Sequence, residues 1–422
     1  MRVPYARQLA RKREAVARLF AEFDGLEVAP VLGMDVPLHY RNKVVSPFVG
    51  VYDRKARRRR ILCGMYERGT HRVIDSSECL IENQVAKAII QSVRQLMPKL
   101  RIEPYDEDAD AGFLRHAQVR VGHASGEVMV TLVTRDEAFP AGKRLARELV
   151  RRHPQITTVV QNVNTRRTNV IMGDKERTIY GPGFILDELC GLSFRISSRS
   201  FYQVNSEQTE VLYRTAVEMA GLTGEETILD AYCGTGTIGL VAAKGIDGKP
   251  GAKHLIGVED LMDAVADART NARHNGIGSA EFFADDAGAF MRRLAAEGGS
   301  VDVVLMDPPR AGATPDFLKA ACLLAPRRIV YVSCNPATQL RDARYLCDHV
   351  WIRCSRSICF PIPSTWRRSP ASCSRAKRRS AAEAWVIKSA SGRVSAMRQA
   401  VCFVRRFAAI ETPTSETWIQ VC

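Results

Sequence analysis

The chain has 422 residues, 46% hydrophobic and 25% charged, with a formal net charge of +15. That length leaves room for two or three domains with real cores, and no run of about 18 uncharged apolar residues exists to cross a membrane as a helix. Residues 350–422 hold 13 Lys/Arg against 3 Asp/Glu, so most of the net charge sits there and the rest of the chain is only mildly basic. Global charge is therefore a weak argument for a polyanionic partner.

The start, MRVPYARQLARKRE, is basic and has no apolar stretch, so it does not read as a secretory signal. Twelve cysteines without framework spacing and without a CxxC predict a reducing, cytoplasmic protein with no structural disulfides. Residues 5–22 form an amphipathic basic helix with Leu9, Val16, Leu19 and Phe20 on one side. Strand-like runs follow at 38–51, 60–65, 117–121, 127–133 and 157–162, with helices at 81–97 and 141–152. This predicts an α+β region with antiparallel strands. Arg41, Lys43 and the run DRKARRRR at 53–60 make it basic. A charge run is more often a solvated face, but on a nucleic-acid-binding sheet it would meet phosphates.

From about residue 196 helices and strands alternate strictly. Helices at 206–220, 237–245, 261–275, 286–296 and 315–324 interleave with strands at 227–230, 254–258, 280–283, 301–306 and 328–333. That grammar predicts an α/β, doubly wound parallel sheet, Rossmann-like. The expected organisation is a helix at 1–36 packing on the catalytic domain, a central α+β domain at 37–195, the α/β domain at 196–349, and an atypical basic tail at 350–422.

The first parallel strand ends in DAYCGTGTIG, which fits G-x-G-x-x-G between strand and helix at Gly234, Gly236 and Gly239. Such glycines let the backbone approach a nucleotide-like ligand at a helix N-terminus. Glu259 ends the next strand, 20 residues past Gly239, where a carboxylate accepts from ribose hydroxyls. The pattern suits NAD or S-adenosylmethionine and does not choose between them. After the fourth strand, Asp307-Pro308-Pro309-Arg310 forms a loop stiffened by two prolines, which presents Asp307 beside the crevice. After the fifth strand, Ser333-Cys334-Asn335-Pro336 ends the strand and opens a helix. Alone, such a cysteine is more often a small buried hydrophobe. Next to a glycine crevice and a DPPR loop it is placed to act as a nucleophile.

These motifs resemble the RNA uracil-5-methyltransferase family, whose bacterial members methylate uracils of 23S ribosomal RNA. The resemblance rests on YARQLARKREAV at 5–16, SFYQVNSEQTEVLY at 200–213, LDAYCGTGTIGL at 229–240, MDPPRAG at 306–312 and VSCNPATQLRD at 332–342. It implies that Gln203, Tyr232, Gly234, Gly236, Glu259 and Asp307 bind S-adenosylmethionine, with Asp286 a candidate for the adenine end. It implies that Cys334 is the nucleophile, with Asp307 also facing the base. The central region would hold the RNA, a 23S rRNA, with Arg41 and Lys43 on phosphates. No membrane and no protein partner are indicated. An RNA cytosine-5-methyltransferase would use the same cysteine logic, but the second cysteine of its DPP-type loop is absent here. A third reading is a remnant that binds cofactor or RNA without turnover.

Three departures from the family pattern stand out. Many members carry a small β-barrel and three cysteines of an iron–sulfur cluster ahead of the first matched residues. Here only Cys79, in DSSECLIENQ, matches a ligand of that cluster, so no cluster and no metal are expected. The family's general-base glutamate lies in a Phe-Pro-His-Thr-x-His-x-Glu segment that nothing in 350–422 matches, Glu383, Glu411 and Glu416 included, which puts turnover in question. Finally, 350–422 is Arg/Ser-rich, holds five of the twelve cysteines and reads as disordered or as frameshifted near His349. FPIPSTWRR at 360–368, back-translated and reread one frame over, can spell the missing Pro-His-Thr-x-His-Val-Glu. Resequencing the coding DNA across codons 340–370 is expected to reveal the frame change; an uninterrupted frame in independent isolates rules it out.

Overall fold

The structure, a computed structural model, describes residues 3–23, 26–53, 57–167, 170–357, 385–387, 401–406 and 418–421. The chain divides into two compact units, Val36–Ser206 and Met1–Asp35 with Glu207–Cys422. The chain opens with α1 (Tyr5–Leu19) and β1 (Leu26–Leu32). The 36–206 unit then runs β2 (Lys43–Asp53), β3 (Arg58–Tyr66), β4 (Val73–Asp75), α2 (Gln84–Lys99), β5 (Leu114–Val121), β6 (Val128–Thr134), α3 (Gly142–Arg152), β7 (Ile156–Val163), β8 (Lys175–Tyr180), β9 (Phe184–Leu189) and β10 (Leu192–Ser197). The chain returns to the first unit with α4 (Ser206–Ala220), β11 (Thr227–Ala231), α5 (Thr237–Lys244), β12 (His254–Glu259), α6 (Met262–His274), β13 (Ala280–Ala284), α7 (Ala287–Ala296), β14 (Val303–Met306), α8 (Pro315–Leu324), β15 (Arg328–Tyr331) and α9 (Pro336–Ser357). Three short strands follow: β16 (Trp385–Ile387), β17 (Val401–Arg406) and β18 (Trp418–Val421).

In the 36–206 unit a seven-stranded sheet has the order β4-β3-β2-β5-β6-β7-β8. Its pairs are antiparallel except β6–β7, which is parallel. The purely antiparallel expectation fails there because α3 carries the chain back across the sheet, the crossover that a parallel pair needs. The sheet packs Phe48, Leu114 and Leu132 against Ile89 and Val93 of α2 and Leu145 and Leu149 of α3. Asn83 starts α2, its side chain accepting from the Val85 and Ala86 amides. Residues 198–206 also belong here, beyond the expected boundary at 195. Gln118 donates to the Ser198 carbonyl at 3.0 Å and Arg120 to the Ser200 carbonyl at 2.8 Å. Asn42 holds the Gln203 and Val204 carbonyls, both at 2.9 Å. Polar side chains on the sheet thus fix a segment that sequence periodicity assigns elsewhere.

In the other unit a five-stranded parallel sheet has the order β13-β12-β11-β14-β15. β11 is flanked by β12 and β14. The winding reverses between β11 and β14, which opens a crevice at the strands' carboxyl ends. β14 is apolar and buried throughout, as a strand covered on both faces must be. Leu229, Val304, Met306, Phe317 and Tyr331 form the core, joined by Val16 and Phe20 of the N-terminal segment. Arg344 of α9 grips Glu22 through two nitrogens, at 2.5 and 2.6 Å.

The tail departs from its expectation at the three short strands. β17 pairs antiparallel with β1, and β18 joins β17 to β16. The β-branched and aromatic run Val401-Cys402-Phe403-Val404 suits such pairing. Residues 350–357 continue α9 past His349, where the frame change is expected, and the rest of the tail, FPIPSTWRR at 360–368 included, lies outside the described residues. No described helix is long and apolar enough to cross a membrane.

Phe317 is fully buried and packs against Tyr232 with ring centroids 5.2 Å apart and the rings tilted by 35°. Phe317→Ala should cost about 3–5 kcal/mol, read from urea denaturation of the intact chain.

Candidate active site

The glycine loop follows β11 directly. Tyr232, Gly234 and Gly236 all take positive φ, at 63°, 55° and 79°. For tyrosine that conformation costs about 1–2 kcal/mol, and its ring's packing on Phe317 holds it there. A Cβ on Gly239 would stand 2.6 Å from Asp230 Oδ2, and one on Gly236 3.0 Å from the Phe282 ring. A Cβ on Gly234 would meet nothing within 4 Å. Two glycines are therefore required by packing, while the third borders open space at the mouth of the crevice. A nucleotide-like ligand fits there, beside amides that α5 leaves without helical partners.

Carboxyl groups rim this space. Glu259 Oε2 accepts from the Gly234 amide at 3.0 Å and Oε1 from the Leu261 amide at 3.2 Å. Burial, with the neighbouring Asp260, pushes Glu259 up to about 7. Asp230 Oδ2 accepts from the Gly239 amide at 2.9 Å, and burial, reinforced by Asp307 and Glu259, pushes it up to about 8. Asp230 escaped the reading from sequence, although it heads the DAYCGTG run. It braces the glycine loop from below. Asp286 is exposed and caps α7, Oδ1 accepting from the Ala289 amide at 2.8 Å. A ligand there would have to use its other oxygen.

Asp307 and Cys334 come from adjacent strand ends. Met306 of β14 is level with Tyr331 of β15, and the Val332 amide continues the ladder to the Met306 carbonyl at 2.8 Å. Ser333 closes the turn around the half-buried Cys334, donating to the Asn335 carbonyl and accepting from its amide, both at 3.1 Å. The two loops are also stitched together. Asn335 and Thr338 donate to the Arg310 carbonyl at 3.1 and 3.3 Å, and Arg341 to the carbonyls of Ala311 and Ala313 at 3.0 and 3.1 Å. The buried Asp342 Oδ2 accepts from the Ala313 amide and the Tyr331 hydroxyl, both at 2.8 Å. Neither Arg341 nor Asp342 was singled out from sequence, though both end the VSCNPATQLRD run.

Gln203, Arg41 and Lys43 lie in the 36–206 unit. Gln203 is buried. Arg41 Nε donates to the Lys43 carbonyl at 3.1 Å. Burial, with Arg120 and Arg41 nearby, lowers Lys43 to about 8. Cys79 is half-buried, whereas Cys63 lies in the core, where burial pushes its thiol up to about 11.

A family model described as a methyltransferase domain matches residues 222–350. The chain is 43% identical over 347 residues to an uncharacterized RNA methyltransferase of Halalkalibacterium halodurans, covering 82% of this chain and 73% of that protein. It is 40% identical over 334 residues to one of Oceanobacillus iheyensis, covering 79% and 70%. Among solved structures, the Pyrococcus abyssi tRNA (uracil-54, C5)-methyltransferase in complex with S-adenosyl-L-homocysteine matches with a TM-score of 0.65 at 28% identity, over 82% of this chain and 77% of that one.

Asp230 and Glu259 hold their protons more tightly folded than unfolded, so the stability they confer is full below about pH 4 and is lost as pH rises to about 8. Asp230→Asn keeps an oxygen for the Gly239 amide and removes the titration. Denaturant unfolding between about pH 4 and 8 should show a shallower loss of stability in the variant than in the wild type.

Proposed function

We propose, from the premise that this chain belongs to the RNA methyltransferase family, that it methylates C5 of a uridine in 23S ribosomal RNA through a covalent bond between Cys334 and C6. The observation that carries this reading is the pairing of Cys334 with Asp307 on adjacent strand ends, in loops tied to each other. The solved relative named for uracil C5 supports the choice of base and atom.

Uracil C5 is a poor nucleophile. When Cys334 Sγ adds to C6 as thiolate, the C5–C6 π electrons move toward the C4 carbonyl, and C5 becomes enolate-like. S-adenosylmethionine, when bound, supplies the electrophilic methyl group that C5 takes. Loss of the C5 proton then re-forms the C5–C6 double bond and expels Cys334. The base must leave its stack to reach this thiol. Tyr232, Gly234, Gly236 and Glu259 would hold the cofactor, with Gln203 and Asp307 as further contacts and Asp286 toward the adenine. Asp307 would also orient the uracil ring. Arg41 and Lys43 would meet phosphates.

The proton-removal step is where this sequence departs from the pattern the family resemblance implies, since residues 350–422 carry no match to the general-base segment. The chain is therefore expected to form the methylated adduct and release it poorly. A non-catalytic remnant is the second reading, favoured by the same missing segment.

The test uses S-adenosylmethionine with a 23S rRNA fragment, once with uridine and once with 5-fluorouridine, whose fluorine blocks elimination. Denaturing gels should show a methylated protein–RNA adduct in both, abolished in Cys334→Ala. Rapid release from uridine RNA would mean that another group acts as base. No adduct with either RNA would overturn the nucleophile and leave the remnant reading.

A further inference from the structure

We infer that the outer half of the β2–β3 hairpin is an RNA-gripping arm, with Tyr52 as a stacking platform for an unpaired base and Arg57 and Arg59 as its phosphate contacts. The inference rests on the RNA-methyltransferase reading above and adds a surface that this reading does not use.

β2 changes partner along its length. Residues 43–47 pair with β5, whereas 48–53 pair with β3. β3 reaches β4 only through residues 64–66. The outer half of the hairpin is thus a two-stranded ribbon leaving the edge of the packed sheet. Phe48 and Cys63 oppose each other and are buried at 1% and 2% exposure. Two steps outward on the same face, Tyr52 opposes Arg59, and Tyr52 is 62% exposed. The face that builds the core at one end of the ribbon carries an aromatic ring and a guanidinium into solvent at the other. Cross-strand neighbours sit about 5 Å apart, close enough for ring and guanidinium to engage one nucleotide together.

The charge needs a reason. Residues 53–60 hold six Lys/Arg and a single acid. Several other arginines of this unit sit beside carboxylates, as Arg72 does with Glu67 and Arg151 with Glu148. Arg57 and Arg59 are exposed, and among the described residues neither ion-pairs with a carboxylate. Like charges crowded at the end of a two-stranded ribbon repel one another, and such a ribbon has little stability of its own. A polyanion relieves that repulsion. A ring beside the cations matches single-stranded RNA, whose splayed bases stack on aromatic side chains while the backbone meets Arg. A simply solvated face would need the charges and not the exposed ring.

The experiment measures binding of the full chain to a labelled uridine-containing stem-loop RNA across a salt series. Arg59→Ala should weaken binding by about fivefold or more and lower the slope of log affinity against log salt by about one. Tyr52→Ala should weaken it by about fivefold or more with the slope unchanged, and Tyr52→Phe should restore it. S-adenosylhomocysteine binding and the melting temperature should match wild type in each variant. Wild-type RNA affinity in both alanine variants overturns the arm. So does a loss of RNA affinity that comes with an equal loss of cofactor binding or a lowered melting temperature, unless Tyr52→Phe and Arg59→Lys restore RNA binding. Failure of the wild-type chain to bind any RNA instead overturns the underlying functional reading. Equal weakening on anionic vesicles in place of RNA would reassign the arm to a lipid surface and overturn it as well.

Discussion

The candidate active site depends on one buried carboxylate. Asp342 has no exposed surface, and it accepts from the Ala313 amide, the Tyr331 hydroxyl and Arg341. Through it the loop after β14 and the loop after β15 become one body. Gly312 is part of the same device. With φ at 80°, a Cβ there would sit 2.6 Å from Asp342 Oδ2 and 2.5 Å from an Arg341 nitrogen. Asp342 is fully buried while the Arg341 side chain is more than half exposed, so the amide and the hydroxyl hold the carboxylate from inside and the guanidinium from the solvent side. The glycine of MDPPRAG and the Arg-Asp that ends VSCNPATQLRD thus explain each other.

A second constraint acts on the cofactor side. Glu259 and Asp307 both stand near the buried Asp230, and after burial itself they further disfavour its ionisation. Tyr232 adds a left-handed backbone at the same edge. The unit tolerates both because its central strands β11 and β14 are short and almost wholly buried. Strain and like charge collected at one edge, on a rigid scaffold, are what a preformed binding site looks like.

Much of this was legible in the chain. Strict alternation of strands and helices announced the parallel sheet, and the spacings of Gly234, Gly236, Glu259, Asp307 and Cys334 put each at a strand end. Less legible was the boundary near 195. The pattern of apolar residues could not reveal that Gln118, Arg120 and Asn42 tie 198–206 to the antiparallel sheet, because those bonds join residues far apart in sequence. The parallel β6–β7 pair was missed for a related reason. A helix between two strands permits either direction, and packing chooses.

The sequence by itself determined the fold class, the glycine loop and the cysteine after the last parallel strand, because periodicity and turn chemistry are local. It also left the general-base segment that the family resemblance implies without a match in 350–422, since a motif is read residue by residue. Only the tertiary structure decided that Asp230 braces the glycine loop, that Asp342 and Arg341 join the loops after β14 and β15, and that Tyr52 stands beside Arg59 on an exposed ribbon. Those are contacts across strands, and strand register is set by burial and pairing over the whole sheet.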